Sequence, residues 1–317
     1  MRVIIIGSGM AGLTAATDLV AVGHDVVVLD KGRVAGGRMS TRVQGEHRFD
    51  HGAQHFSVRT EPFARAVRAW LDEGIAAVWY EGSSVTQPDR GREPRHVGLG
   101  GMRTIPVSLA DQLDVRQSTA VRGIAIDDGT VSVHTSDGTV VGDAVILTPP
   151  VPQTHSLLTD SGIPLPDDIT TMLDEVDYDA SLTAMVVLDG PSGLPNGHLA
   201  LRDGPVAWIA DNQHKGVSPT PTLTIQSTAA FADEHLEADP SSWVDSLTDT
   251  AAPHLEAGIV DATGHRWRYS QPRTTFDVGA VRFDAGVPVV LAGEVFSGAK
   301  VEGAFTSGRV AARLLVG

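Results

Sequence analysis

Six residues near the start of the chain, Gly7-Ser8-Gly9-Met10-Ala11-Gly12, have the G-x-G-x-x-G spacing that brings a pyrophosphate against backbone N–H groups. Gly7 permits a tight turn, Gly9 lets the backbone approach the phosphates, and Gly12 lets a helix pack closely on the preceding strand. Asp30 follows at the spacing of an acid that accepts hydrogen bonds from a ribose, with Lys31 beside it. A second loop carries Gly36, Gly37, Arg38 and Met39. Paired glycines expose backbone N–H groups, and a neighbouring arginine can offset the charge of a diphosphate. Either loop alone also reads as a flexible glycine turn. Together they point to a bound dinucleotide.

The elements that must position these residues are legible around them. Arg2 to Ile6 is an apolar run suited to a buried parallel strand, Leu13 to Val22 reads as a helix, and Asp25 to Asp30 is a second buried strand ending in an acid. Phe49-Asp-His51-Gly52-Ala53-Gln54-His55-Phe56 is a polar segment with two small residues that allow close backbone approach. It also reads as a loop whose histidines bind nothing. Glu61 to Glu73 is helical, with Phe63, Val67, Trp70 and Leu71 on one face, and Ala76 to Tyr80 is a strand. Ser83 to Arg95 is a polar loop with two prolines, and a helix follows from Arg103 to Leu113. Asp-Gly turns at 128–129 and 137–138 mark a meander of hairpins beginning near Val121. The strand Ala144 to Thr148 ends it at Pro149-Pro150.

Residues 151 to 275 have a different texture. Helices near 154–159, 167–174 and 240–255 alternate with strands at 180–188, 205–211 and 222–228. In His265-Arg-Trp267-Arg268-Tyr269-Ser-Gln-Pro272, alternation puts His265, Trp267 and Tyr269 on one face and Arg266, Arg268 and Ser270 on the other. The chain then returns to a buried strand, Val287 to Glu294, which includes Gly293 and ends in an acid. A terminal helix follows, with Val301, Glu302 and Gly303 in its first turn.

Composition excludes several chemistries. The sequence has no cysteine, so there is no disulfide framework, thiolate metal site, cysteine nucleophile or cysteinyl link to a cofactor. Its net charge of −15 argues against nucleic acid and anionic membrane as partners. No apolar stretch reaches the ~18 residues of a membrane span, and the first strand leaves no room for a secretory signal, so a cytoplasmic protein is expected. There is no nucleophile elbow, no His pair at zinc-binding helical spacing and no triad, and no metal is expected.

The pairing of G-x-G-x-x-G with a downstream G-G-R resembles the FAD-binding fold of the amine oxidase, phytoene desaturase and protoporphyrinogen oxidase superfamily. The 49–56 and 265–272 segments, with Val301-Glu-Gly-Ala304, resemble its renalase family, in particular the bacterial members. The resemblance covers essentially the whole chain. It implies an α/β fold: a Rossmann-like FAD-binding domain of the GR2 type, with an inserted α+β substrate domain containing a mainly antiparallel sheet. The expected bounds are 1–60, 96–150 and 276–317 for the first, and 61–95 and 151–275 for the second. It implies non-covalent FAD held by 7–12, Asp30, Lys31, Gly37, Arg38, Met39, His51, Gly52, Ala53, Gln54, Val121, Thr148, Gly293, Glu294, Val301, Glu302 and Gly303. Asp30 stands where many members carry Glu, and the shorter acid still reaches ribose hydroxyls if the backbone moves in.

The resemblance further implies a small-molecule substrate, a 2- or 6-dihydro isomer of NAD(P). Its hydride goes to flavin N5, and O2 reoxidises the flavin with release of H2O2. A dihydropyridine has a nitrogen lone pair to expel hydride, so positioning groups are expected rather than an acid–base pair. His51, Gln54, His55, Trp267, Arg268 and Tyr269 are the expected pocket. Trp267 and Tyr269 are equally readable as ordinary sheet packing. The alternatives are an amine oxidase, a desaturase acting on a lipid or pigment, and a flavin-binding redox sensor without rapid turnover. The sequence leaves the hydride donor, the acceptor and the oligomeric state open.

Overall fold

The computed structural model describes residues 1–83 and 92–317. The chain divides into two compact units, Met1–Gly37 with Pro106–Asp177 and Pro272–Gly317, and Arg38–Ile105 with Tyr178–Gln271. These bounds differ from those read in the sequence. Residues 38–60 and 96–105 group with the inserted sheet, and 151–177 with the dinucleotide half. The reason is local: 38–54 bonds to strands of the inserted sheet, and the helix Val151–Asp160 packs on the strand Val121–Asp127.

The first unit is built on a six-stranded sheet. Its order is Val281–Asp284, Pro288–Leu291, Ala144–Leu147, Arg2–Ile6, Asp25–Leu29, Asp114–Arg116. All neighbours are parallel except the edge pair Val281–Asp284 with Pro288–Leu291. Alternation explains why the strands are apolar throughout. Val3, Ile5, Val26, Val28, Ile146 and Val290 pack under the helices Met10–Ala21 and Val301–Val316, while Ile4 and Val27 are equally buried on the other face. A separate antiparallel sheet is formed by Val121–Asp127, Thr130–Thr135 and Gly138–Gly142, as the Asp-Gly turns require. Asp128 and Gly129 both have positive φ, the conformation of a two-residue hairpin turn.

The helices Met10–Ala21 and Val301–Val316 approach closely. A Cβ on Gly308 would lie 2.2 Å from the Ala11 carbonyl oxygen and 3.0 Å from Thr14 Cβ. Gly308→Ala is therefore expected to cost about 1–3 kcal/mol by forcing the helices apart. The check is a lower urea midpoint at unchanged slope.

The second unit holds a five-stranded sheet ordered His198–Ala200, Val206–Asp211, Thr222–Ser227, Tyr178–Leu188, Ile259–Pro272, and the registers of its first four strands are antiparallel. One face is apolar. Leu182, Ala184, Val186, Ile209, Leu223 and Ile225 pack against Ala232, Trp243, Val244 and Leu247 of the helices Ala229–His235 and Pro240–Ala251. The other face carries Thr183, Thr222, Thr224, Gln226, Trp208 and His198, the alternate residues of the same strands.

The helix Glu61–Asp72 buries Phe63, Val67 and Trp70, as its spacing requires. The strand Ala76–Ser83 pairs with Arg92–Gly98, so the polar stretch read as a loop from Ser83 to Arg95 contains strand at its far end. The middle of that stretch lies outside the described residues. No helix among the described residues is long and apolar enough to cross a membrane.

Candidate functional site

In the first unit the glycine run joins the strand Arg2–Ile6 to the helix Met10–Ala21. Gly7 has φ +106°, and Thr148 Oγ1 donates to the carbonyls of Ile6 and Gly7 at 2.8 and 3.3 Å. A Cβ on Gly7 would meet that hydroxyl at 2.4 Å, and one on Gly12 would strike the Gly7 carbonyl oxygen at 2.0 Å. These two glycines are required by the protein itself. Gly9 differs: nothing lies within 4 Å of where its Cβ would be. It opens on the N-terminus of a helix with no side-chain cap and no acid in its first turn. Uncompensated N–H groups beside open space suit a bound pyrophosphate. Gly36 N donates to Ser8 O at 3.0 Å, and Gly37, with φ +53°, lies against Gly9, so the two glycine loops are adjacent. The residues present thus fit the phosphates of a dinucleotide.

Asp30 is also engaged by the protein itself. Its carboxylate accepts from Ser8 N at 2.5 Å, Ser8 Oγ at 2.8 Å and Gly32 N at 2.6 Å. The short side chain ties the first glycine loop to the following turn, and three donors leave the carboxylate acceptor capacity to spare. Lys31 is exposed and Val121 begins the antiparallel sheet of this unit. Gly293 N donates to Ser307 Oγ at 2.8 Å, and Glu294 is buried at the head of a short turn. Val301, Glu302 and Gly303 form the first turn of the last helix, where a Cβ on Gly303 would stand 1.8 Å from the Gly298 carbonyl oxygen.

In the second unit the segment after Asp50 lies along the polar face of the sheet. Thr222 Oγ1, Thr224 Oγ1 and Gln226 Nε2 donate to the carbonyls of Arg48, Asp50 and Gly52 at 3.1, 3.0 and 2.8 Å. Alternate side chains of one strand thus hold alternate carbonyls of the segment. Arg38 and Met39 lead into it. Ala53 N donates to Arg38 O at 2.8 Å, and a Cβ on Gly52 would meet that oxygen at 2.1 Å. Gln54, expected to present its amide to a ligand, is buried, with Nε2 on the carbonyls of Asp50 and Gly52 and Oε1 on Lys215 Nζ.

His51 sits among aromatic rings. Trp267 stacks on it at 5.3 Å and donates through Nε1 to His51 O at 2.8 Å. His265 meets it edge-on at 4.6 Å, and Arg42 lies 3.4 Å from His265 Nδ1. Burial, with help from His265 and Arg42, lowers the His51 pKa to about 3. Burial and Arg42 lower that of His265 to about 4. Both rings are therefore neutral at pH 7 and weak bases. Two expected members stand apart. Arg268 is on the other face of its strand, paired with Glu237 at 2.6 Å and half exposed, as the alternation itself demands. Tyr269 packs edge-on against Tyr178 at 5.5 Å.

His55 belongs to a second cluster that the sequence does not reveal. Tyr80, His198 and Trp208 form a stack with ring separations of 4.0 and 4.9 Å. Trp79 stands edge-on to Tyr80 and His198, and His55 lies against Trp79, Tyr80 and Trp208 at 5.7–6.2 Å. Consecutive strand residues ordinarily face opposite ways. A register shift between Val78 and Tyr80 lets Trp79 and Tyr80 share one cluster, and such a bulge leaves no sequence signal. Among the described residues no group of three or more His, Cys, Asp or Glu could hold a metal.

Two family models match this chain. The NAD(P)-binding Rossmann-like domain covers residues 5–73, and the flavin containing amine oxidoreductase covers 75–316, more than half of the protein. The chain belongs to the flavin-containing amine oxidoreductase family. FAD is accordingly its cofactor, and the Rossmann-like fold with an antiparallel inserted sheet agrees with that membership.

Among solved structures, a protein from Exiguobacterium sp. 255-15, provisionally named a protoporphyrinogen oxidase, has a TM-score of 0.75 at 11% identity, covering 99% of this chain and 98% of its own. A putrescine oxidase bound to putrescine has a TM-score of 0.71 at 16% identity with both chains fully covered. At such identities the likeness is one of fold. A phytoene desaturase (neurosporene-forming) from Cereibacter sphaeroides is 53% identical over 51 residues, which span 16% of this chain and 10% of the desaturase.

Proposed function

We propose that this family member is a renalase-type oxidase that takes a hydride from a 2- or 6-dihydro isomer of NAD(P) and returns NAD(P)⁺. When bound, FAD supplies the hydride acceptor at N5 and passes the electrons to O2, giving H2O2. The observation that carries the reading is the ring cluster of His51, His265 and Trp267, tied to the His51 carbonyl through Trp267 Nε1, in which burial lowers the pKa values of the two histidines to about 3 and 4. Weak bases of this kind do not serve a substrate that must first lose a proton near pH 7. A dihydropyridine needs none, only a fixed orientation. The partly exposed Trp267 ring, backed by the buried His51, offers a flat surface for a heteroaromatic ring, and Gly52 and Ala53 keep the backbone beside it narrow.

Gly7 to Gly12, with Gly37, hold the diphosphate in this reading, while Glu294 and the first turn of the last helix serve the remaining polar groups of FAD. Arg38→Ala and Glu294→Ala proteins are expected to purify with at least roughly tenfold weaker FAD affinity. The check is the ratio of flavin to protein absorbance after gel filtration, and full retention in both would remove these residues from the cofactor site.

A small-amine oxidase is the second reading, supported by the family model and by the likeness of fold to putrescine oxidase. The deciding experiment mixes the purified protein anaerobically with 6-dihydroNAD, 2-dihydroNAD and a panel of amines while the visible flavin band is followed. Bleaching within seconds by the isomers alone is the expected result. Bleaching by amines alone overturns the proposal in favour of the second reading.

A further inference from the structure

The segment Asp50–Gln54 is set from behind by one buried cation. Lys215 Nζ lies 3.0 Å from Asp50 Oδ2 as an ion pair, and both side chains are 0% exposed. The same ammonium donates to Gln54 Oε1 at 3.2 Å and faces the Trp79 ring at 5.1 Å. Gln54 Nε2 in turn donates to the carbonyls of Asp50 and Gly52, which also receive Thr224 Oγ1 and Gln226 Nε2. Both ends of the Gln54 amide are thereby engaged, and the carbonyls of the turn point into the unit. Asp50 Oδ1 accepts from Thr41 Oγ1 at 2.6 Å and Met102 N at 2.9 Å, which fixes the other side of the pair.

Burial lowers the Lys215 pKa and the Asp50 carboxylate opposes that shift. A buried ion pair is a poor source of stability, because well-packed apolar side chains fill the same volume without desolvating two charges. What the pair does supply here is geometry. An ammonium has three donors and no acceptor, and this one serves a carboxylate, an amide oxygen and an aromatic face.

We propose that Lys215 is a positioning residue, fixing the carbonyl-inward turn Asp50–Gln54 and the Trp79 edge of the ring stack at a set separation, so that a planar substrate ring finds a rigid wall in the second unit. The inference rests on the reading of this unit as the part that binds substrate. Lys215 itself touches no substrate in it.

The test compares Lys215→Met, Lys215→Met with Asp50→Asn, and Trp79→Leu in the FAD-loaded protein. Melting temperature, kcat and KM with 6-dihydroNAD, and the Kd for NAD⁺ by calorimetry are measured on each. Lys215→Met strands the Asp50 charge and is expected to lower the melting temperature. The double variant regains most of it, because Asn keeps the oxygen that serves Thr41 and Met102.

In both Lys215 variants KM and the NAD⁺ Kd are expected to rise about tenfold, with kcat changed less than about threefold. A double variant with wild-type stability, KM and Kd overturns the proposal and leaves the pair purely structural. Trp79→Leu keeps the ion pair and half-exposed surroundings, so it should fold normally and raise the same two constants. Unchanged values in that variant also overturn the proposal. If the wild-type flavin is bleached by an amine and not by 6-dihydroNAD, the proposed function fails. The same comparison with that amine's KM then decides the role of Lys215 separately.

Discussion

Gly9→Ala is expected to yield a stable protein that purifies without colour. The added methyl meets no protein atom within 4 Å, and the backbone there, at φ −79° and ψ −179°, is one any residue adopts. The fold has no reason to resist the change. A pyrophosphate drawn against the N–H groups of the first turn does, since its approach depends on the missing side chain. A loss of roughly a hundredfold or more in FAD affinity corresponds to about 3 kcal/mol, the scale of a displaced diphosphate. Gly12→Ala makes the contrast: its methyl would lie 2.0 Å from the Gly7 carbonyl oxygen, so stability and cofactor affinity should fall together. Melting curves and flavin titrations of the two apoproteins separate the cases. A yellow, normally binding Gly9→Ala protein would show that the first glycine loop does not hold the diphosphate.

Mild acid should unfold this protein earlier than its carboxylates alone would. His51 has a pKa near 6.5 in the unfolded chain and about 3 in the folded one. Its contribution to stability is fully present above pH 6.5. It is lost as pH falls toward 3, because only the unfolded state takes up the proton. The slope is about 1.4 kcal/mol per pH unit, so His51 alone removes on the order of 2 kcal/mol by pH 5. His265, lowered to about 4 and more exposed to solvent, acts in the same direction by a smaller amount. Urea midpoints at pH 7 and pH 5 for the wild type and for His51→Gln measure the effect. The variant should lose about 2 kcal/mol less between the two pH values, and identical losses would mean that His51 is not held neutral by burial. The same neutrality predicts that flavin reduction by the bound donor shows no ionisation near pH 6.5 assignable to these rings.

Much of the dinucleotide half is legible in the sequence because its requirements are local. A glycine with positive φ, a strand buried on both faces and an Asp-Gly hairpin each leave a mark within a few residues, and the six-stranded, mostly parallel core follows from them. The antiparallel inserted sheet and the superfamily resemblance also hold. The second unit is less readable because its important contacts join residues far apart. Lys215 and Asp50, or Tyr80 and His198, have no shared motif, and a bulge at Trp79 undoes the alternation that a strand reading relies on. Asp30 illustrates another limit. Its spacing suits a ribose ligand, while nothing in the sequence announces that its carboxylate also holds Ser8 and Gly32. Arg268 follows the strand's own two-residue period to the face opposite Trp267, where it pairs with Glu237.

The six-stranded sheet pairs strands from distant parts of the polypeptide, Arg2–Ile6 beside Ala144–Leu147 and that beside Pro288–Leu291, and the helix Val301–Val316 covers it. Long-range closure of this sort is slow and comes late. The six-stranded sheet of the nucleotide-binding half is therefore expected to stay incomplete during synthesis until residues 288–316 are available. Loading of the cofactor is then expected to follow their emergence rather than to accompany the making of the first glycine loop.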